Sequence, residues 1–202
     1  MVAATGIGQE KQKLRGSLRA ARRAFSRARK EETGAALARW ARGSSMVRSS
    51  ASVVCYLADD GEPDTAPLME ALRAAGKEIF LPRCLEKRSL ELVAVRPGAA
   101  LRPTGPGGIL EPEGEATEPA AIPGPVVLLV PSVALDPRGF RLGRGGGFYD
   151  CLLPQARGLH WMIVGVSHAE HVLDQVPTEA HDQPVDALLT EDAYRIVTPQ
   201  PP

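Results

Sequence analysis

The sequence predicts a three-layer α/β fold with a mainly parallel sheet and an N-terminal helical segment. Two apolar runs, residues 126–130 and 161–166, have no polar face, as strands covered on both sides require. Between them and the N-terminus, residues 52–81 read as strand, helix and strand, a β-α-β unit. Apolar strands separated by helical stretches imply a sheet with helices on both faces.

The elements follow in order. Residues 11–30 are rich in Lys and Arg and lack acidic residues, with Leu14, Leu18, Ala21 and Phe25 spaced along one face of a basic amphipathic helix. A second helix is expected over 31–42, closed by Gly43, Ser44 and Ser45. A strand at 52–57 leads to a helix capped by Asp64 and Thr65 and ended by Gly76. The next strand, 77–81, should stop at Pro82, and 90–95 alternates like an exposed strand. Pro and Gly make the stretch to residue 125 mostly irregular. The central strand at 126–130, the strand at 161–166 and a shorter one at 187–190 complete the sheet.

At 202 residues the chain suits one domain over 1–202, with basic helices over about 10–43 and an α/β body over about 50–198. A formal net charge of +0 and a pI near 6.9 argue against nucleic acid or a membrane surface as a partner. No apolar run approaches the roughly 20 residues of a membrane span, and residues 1–5 do not open like a secretory signal, so a cytoplasmic location is expected. Cys55, Cys84 and Cys151 are odd in number and far apart, which fits reduced thiols, with Cys55 as a small buried hydrophobe.

A sheet of this kind binds ligands at the carboxyl ends of its strands. The segments leaving those ends are 58–65, 131–150 and 167–182. The second contains Arg141-Leu142-Gly143-Arg144-Gly145-Gly146-Gly147-Phe148-Tyr149-Asp150, a run that follows a strand-like segment and opens a helix. Glycines let successive backbone N–H groups converge, arginines add forked cationic donors, and a helix start adds partial positive charge. Together these suit an anion, above all a nucleotide phosphate, and Asp150 suits the magnesium that accompanies a triphosphate. The run is neither a Walker loop, since no Lys-Ser/Thr pair follows, nor a dinucleotide fingerprint, since Phe148 stands where Gly or Ala is needed. The competing reading is a glycine-rich surface turn. In the first helix, Lys11 and Arg15 lie one turn apart and can reach a phosphate; Lys11, rather than Lys13, shares the side of Arg15. His168 and His171, without a third ligand, make a weak metal signal.

Residues 131–136 and the run from Gly139 to Asp150 resemble the signature of the 5-formyltetrahydrofolate cyclo-ligase family. Further matches occur in order at Lys11, Leu14 and Arg15, at 62–65, at 81–83, at 108–112, and at His181 with Asp182. The resemblance implies a Rossmann-like sheet and an ATP- and Mg²⁺-dependent closure of 5-formyltetrahydrofolate to 5,10-methenyltetrahydrofolate, with release of ADP and phosphate. It implies that the formyl oxygen takes the γ-phosphoryl group and that N10 then adds. It carries over Lys11, Arg15 and 141–150 as the ATP site, with Arg144, Lys11 and Asp150 as catalytic residues. Asp150 and Asp182 correspond to magnesium ligands, and Leu57, Glu62 and 144–148 to the folate site. A monomer is expected. Phe148 and Tyr149 either pack along the substrate or anchor the helix start. The chain departs from the family where Phe148 replaces a frequent Tyr, Gly146 a lysine of some members, and Cys151 a common basic residue.

Two other functions compete. A non-catalytic nucleotide-binding module would be free to lose Glu62, Arg144, Asp150 or Asp182, and all four are present. An RNA-binding protein led by the basic helix would need a recognisable RNA-binding motif, and none accompanies that helix.

Overall fold

The computed structural model describes residues 3–198; residues 1–2 and 199–202 of the expected domain lie outside the described residues. Helices α1 (Ala3–Arg23), α2 (Arg27–Gly43) and α3 (Ser45–Ser49) precede strand β1 (Ser52–Val54), helix α4 (Ala66–Ala74) and strands β2 (Glu78–Cys84) and β3 (Leu90–Ala94). Short strands β4 (Leu101–Arg102), β5 (Glu111–Pro112) and β6 (Ala116–Thr117) follow. Then come β7 (Val126–Pro131), β8 (Ala134–Leu135), β9 (Arg141–Leu142), α5 (Phe148–Gly158), β10 (Met162–Val166), β11 (Ala187–Leu189) and β12 (Tyr194–Ile196).

Eight strands form one sheet in the order β12-β11-β10-β7-β1-β2-β3-β6. The five from β11 to β2 are parallel; β12 and β3 pair antiparallel with them at the two sides, and β6 pairs antiparallel with β3. Alternate residues of each central strand enter opposite cores. Val127 and Leu129 join Leu37 of α2 and Leu68 and Leu72 of α4, whereas Val126, Leu128 and Val130 join Leu152 and Leu153 of α5. That gives helix, sheet and helix, the three layers expected. Burying each such side chain contributes roughly 1.5–3 kcal/mol, so the apolar β7 stabilises both cores.

The connections place the site. From β1 the chain moves outward to β2, whereas from β7 it moves the other way to β10 and β11. Adjacent strands whose connections diverge leave a crevice at their carboxyl ends. The loops after β1 and β7 therefore stand side by side.

Several local expectations are corrected. One basic helix was expected over 11–30, but it ends at Arg23, and Ser26 Oγ accepts from Arg29 N–H to cap α2. A serine that satisfies an orphan N–H outcompeted the continued basic pattern. Phe25 thus leaves the helical stripe, while Leu14 and Leu18 pack against Val133, Ala134, Leu142 and Val176. Pro82 does not end β2: the pairing with β1 stops at Phe80, and beyond it only β3 is a partner in the large sheet, which spares the proline its missing N–H. Strand β3 is not exposed at Leu92 and Val93: Leu92 enters the core on the α5 side, and β6 pairs along the outer edge. The first strand covers only 52–54, and residues 55–57 leave the sheet towards the crevice. Ser44 caps α3, a helix the sequence reading omitted along with β12 and the β8–β9 hairpin. Among the described residues no helix is long and apolar enough to cross a membrane.

Candidate active site

A cavity of about 500 Å³ opens at the crevice, and its walls include every residue singled out as a candidate: Lys11, Arg15, Leu57, Glu62, the run 141–150 and Asp182. One wall is the run itself. Gly145 and Gly147 have φ of +96° and +75°, and Gly147 caps α5 without any side-chain partner. Only glycine takes these angles without strain, and the uncapped helix start leaves N–H donors directed outward. Arg15 Nε donates to Gly143 O at 2.8 Å, which ties α1 to the run. Phe148 lines the cavity; Tyr149 also lines it and packs against the core on the α5 side, so it anchors the helix start.

Lys11 is buried beside a second wall, where Nζ donates to Asp182 Oδ2 at 2.6 Å and Glu179 Oε2 at 2.8 Å. Burial disfavours its charge, but the two carboxylates outweigh burial and hold the Lys11 pKa above its ordinary value. Asp182 is correspondingly lowered, the Lys11 bond overcoming the effect of burial. Lys13 is exposed and outside the cavity lining. Asp150 pairs with Arg141, and its carboxylate is 48% exposed. Among the described residues no three His, Cys, Asp or Glu side chains cluster as a metal site. Asp150 and Asp182 both line the cavity, and their hard oxygens are of the type a magnesium ion takes.

The third wall is the loop after β1. Glu62 is 6% exposed and accepts from Asp59 N–H at 3.2 Å through Oε2. Its Oε1 lies 3.7 Å from Arg22 Nη2 and 4.0 Å from Arg144 Nη1, outside hydrogen-bond range of both. Burial raises the Glu62 pKa against the opposing pull of those two guanidinium groups. Arg144 also pairs with Asp59 at 3.0 Å, so one side chain joins the glycine run to this loop. Behind the loop, Asp60 accepts from Arg19, Arg22 and Arg23 of α1, and His168 Nε2 stands 3.0 Å from Gly61 O.

Sequence reasoning missed Arg19, Arg22, Asp59, Asp60 and Glu179. The available signal was spacing: Lys11, Arg15, Arg19 and Arg22 recur every three or four residues, so the cationic face of α1 turns inward at the cavity. His168 and His171 are buried, with Phe25 edge-on to His168 at a ring separation of 4.7 Å. They pack the rear of the loop. Cys55 is buried, as the small buried hydrophobe expected, and burial pushes its thiol up to about 12.

The family model of the 5-formyltetrahydrofolate cyclo-ligase family matches residues 7–191. The 5-formyltetrahydrofolate cyclo-ligase of Mycolicibacterium smegmatis is 31% identical over 188 residues, covering 90% of this chain and 94% of that protein. The Escherichia coli K12 enzyme of the same name is 34% identical over 141 residues, 69% of this chain and 77% of that one. The NMR structure of Aquifex aeolicus 5,10-methenyltetrahydrofolate synthetase superposes with a TM-score of 0.77 at 31% identity, covering 93% of this chain and 92% of that one. With its fold, its cavity and the matched residues in agreement, the chain belongs to the 5-formyltetrahydrofolate cyclo-ligase family, a family of ligases.

Proposed function

We propose that this protein, as one domain, closes 5-formyltetrahydrofolate to 5,10-methenyltetrahydrofolate at the expense of ATP. The observation that carries the reading is the chemical division of a single cavity. One end offers backbone N–H groups and arginines, and the other a buried carboxylate with a free oxygen.

The division matches the two substrates. Triphosphate lies along 141–150 with Lys11 and Arg15, where convergent N–H groups and cations neutralise phosphate charge. The pterin lies against Leu57, Phe148 and Glu62, whose carboxylate accepts from the amino and ring N–H groups. Arg144, which bridges both walls, spans two oxygens of the phosphoryl group as it moves to the formyl oxygen. ADP leaves, N10 adds to the formyl carbon and loses its proton, and phosphate departs with the former formyl oxygen. Asp150 and Asp182 would hold Mg²⁺, which supplies charge neutralisation on phosphate oxygens when bound. Lys11 holds the Asp182 pKa below its ordinary value.

The test is ultraviolet absorbance of the purified protein with 5-formyltetrahydrofolate, ATP and Mg²⁺, read at the band of the conjugated methenyl product. The expected result is a rise that needs all three components. A folded, ATP-binding sample that gives no rise would leave the non-catalytic module in its place.

A further inference from the structure

Arginine 22 is the largest fully buried side chain of the described residues, at 0% exposure, and it lies directly behind the 59–62 loop. An arginine so deprived of water is costly unless it is paired and hydrogen-bonded. Its Nε donates to Asp60 O at 2.7 Å, its Nη2 donates to Asp60 Oδ2 at 3.1 Å, and the same Nη2 faces Glu62 Oε1 at 3.7 Å. The backbone approaches as closely as the side chain: a Cβ on Gly61 would stand 2.8 Å from Arg22 O. Asp60 and Gly61 both hold positive φ, +54° and +75°, so the loop takes a turn that must be maintained from outside. Arg19 and Arg23 also bind Asp60, but of the three only Arg22 reaches Glu62.

We propose that Arg22 is a positioning residue for the folate substrate: from behind the loop it fixes the turn at Asp60 and Gly61 and holds Glu62 as the acceptor that reads the pterin N–H groups. The inference rests on the folate reading of this cavity. Arg22 touches no substrate; it acts through Glu62.

The other charged or titratable groups facing Glu62 are Arg144 from the glycine run, Asp59 on its own loop, Tyr56 after β1 and Tyr149 of α5. Burial favours the protonated carboxyl, and Arg22 and Arg144 oppose burial from two sides. Removing Arg22 leaves Arg144 opposing burial from one side, so Glu62 takes up its proton at higher pH.

Arg22→Met and Arg22→Lys test the role, each with folinate and ATP affinities measured by calorimetry and steady-state constants followed against pH. In Arg22→Met we expect folinate binding weaker by roughly tenfold, ATP binding unchanged, KM for folinate raised more than kcat falls, and the acid limb of kcat/KM displaced to higher pH. Arg22→Lys keeps a charge near Glu62 and should return the acid limb towards its original position. In a Glu62→Gln background, Arg22→Met should weaken folinate binding no further.

Equal losses for ATP and folinate, or an unmoved acid limb in both variants, would reduce Arg22 to a structural support and overturn the proposal. If Arg22→Met does not fold, Arg22→Lys alone decides, through its effect on folinate against ATP. A wild-type protein that binds no folinate would instead refute the functional reading itself.

Discussion

The glycine run and the 59–62 loop face each other across one cavity and are built in opposite ways. The run presents backbone: Gly145 and Gly146 are exposed, and the φ angles of Gly145 and Gly147 are ones only glycine holds cheaply. The loop is built from buried side chains: Asp60, Glu62, Arg22 and His168 are all withdrawn from water, and Asp60, Arg22 and His168 Nε2 find partners distant in sequence. A phosphate can be recognised by donors that need only a local conformation. A carboxylate buried beside a flat ring needs a supporting shell to keep its charge and direction.

This contrast can be broken first at Arg144, the side chain that joins the two walls. Arg144→Ala should lower kcat on the order of 10³-fold, a loss typical of a cation that stabilises a transferring phosphoryl group, and stopped-flow absorbance would read it. A loss confined to KM would mean that the residue only binds.

Glycine replacement separates the walls next. Gly61→Ala places a methyl against the Arg22 backbone at 2.8 Å as well as straining a φ of +75°. Gly147→Ala, at the same φ, meets only the flexible Arg88 side chain, 3.2 Å away at Cδ. The first should cost about 3 kcal/mol of stability and the second about 1 kcal/mol, as measured by urea unfolding. Equal costs would contradict the claim that the loop is clamped by α1.

A smaller effect lies in acid. Burial pushes the Asp60 carboxyl up, but bonds from Arg19, Arg23 and Arg22 overcome it and hold the pKa at about 2, against 3.8 in the unfolded chain. Its folded-state pKa is depressed, so the stabilisation is present above pH 3.8 and is lost as pH falls through about 2. The stability gap between wild type and Asp60→Asn should therefore narrow by about 2 kcal/mol over that interval. Glu62 carries the opposite sign: its raised pKa favours the folded state at low pH and loses that contribution as pH rises through the folded value.

The same contrast explains what the sequence made legible. Continuous apolar runs exposed the sheet, because 126–130 and 161–166 have no polar face. The run 141–150 announced itself because its chemistry is written in adjacent residues. Glu62 was reached only through resemblance to a family, since the groups around it come from α1 and from the run, and its loop is held from behind by His168. The end of α1 was misread because a serine cap is a weaker signal than a continued basic pattern. Strand β12 and the β8–β9 hairpin are pairs of two or three residues fixed by tertiary contacts; Asp136, for instance, draws in the N–H groups of Arg138, Phe140 and Val176. Such contacts leave no periodic trace.

On the proposed reading one cavity has a nucleotide wall and a folate wall with separable residues. Calorimetric titration of Arg15→Ala and Glu62→Gln with Mg·ATP and, separately, with folinate tests it most directly. The expected result is crossed: Arg15→Ala binds ATP at least tenfold more weakly and keeps folinate, and Glu62→Gln does the reverse. If either variant weakened both ligands alike, or if the pattern were inverted, the division of the cavity would be wrong.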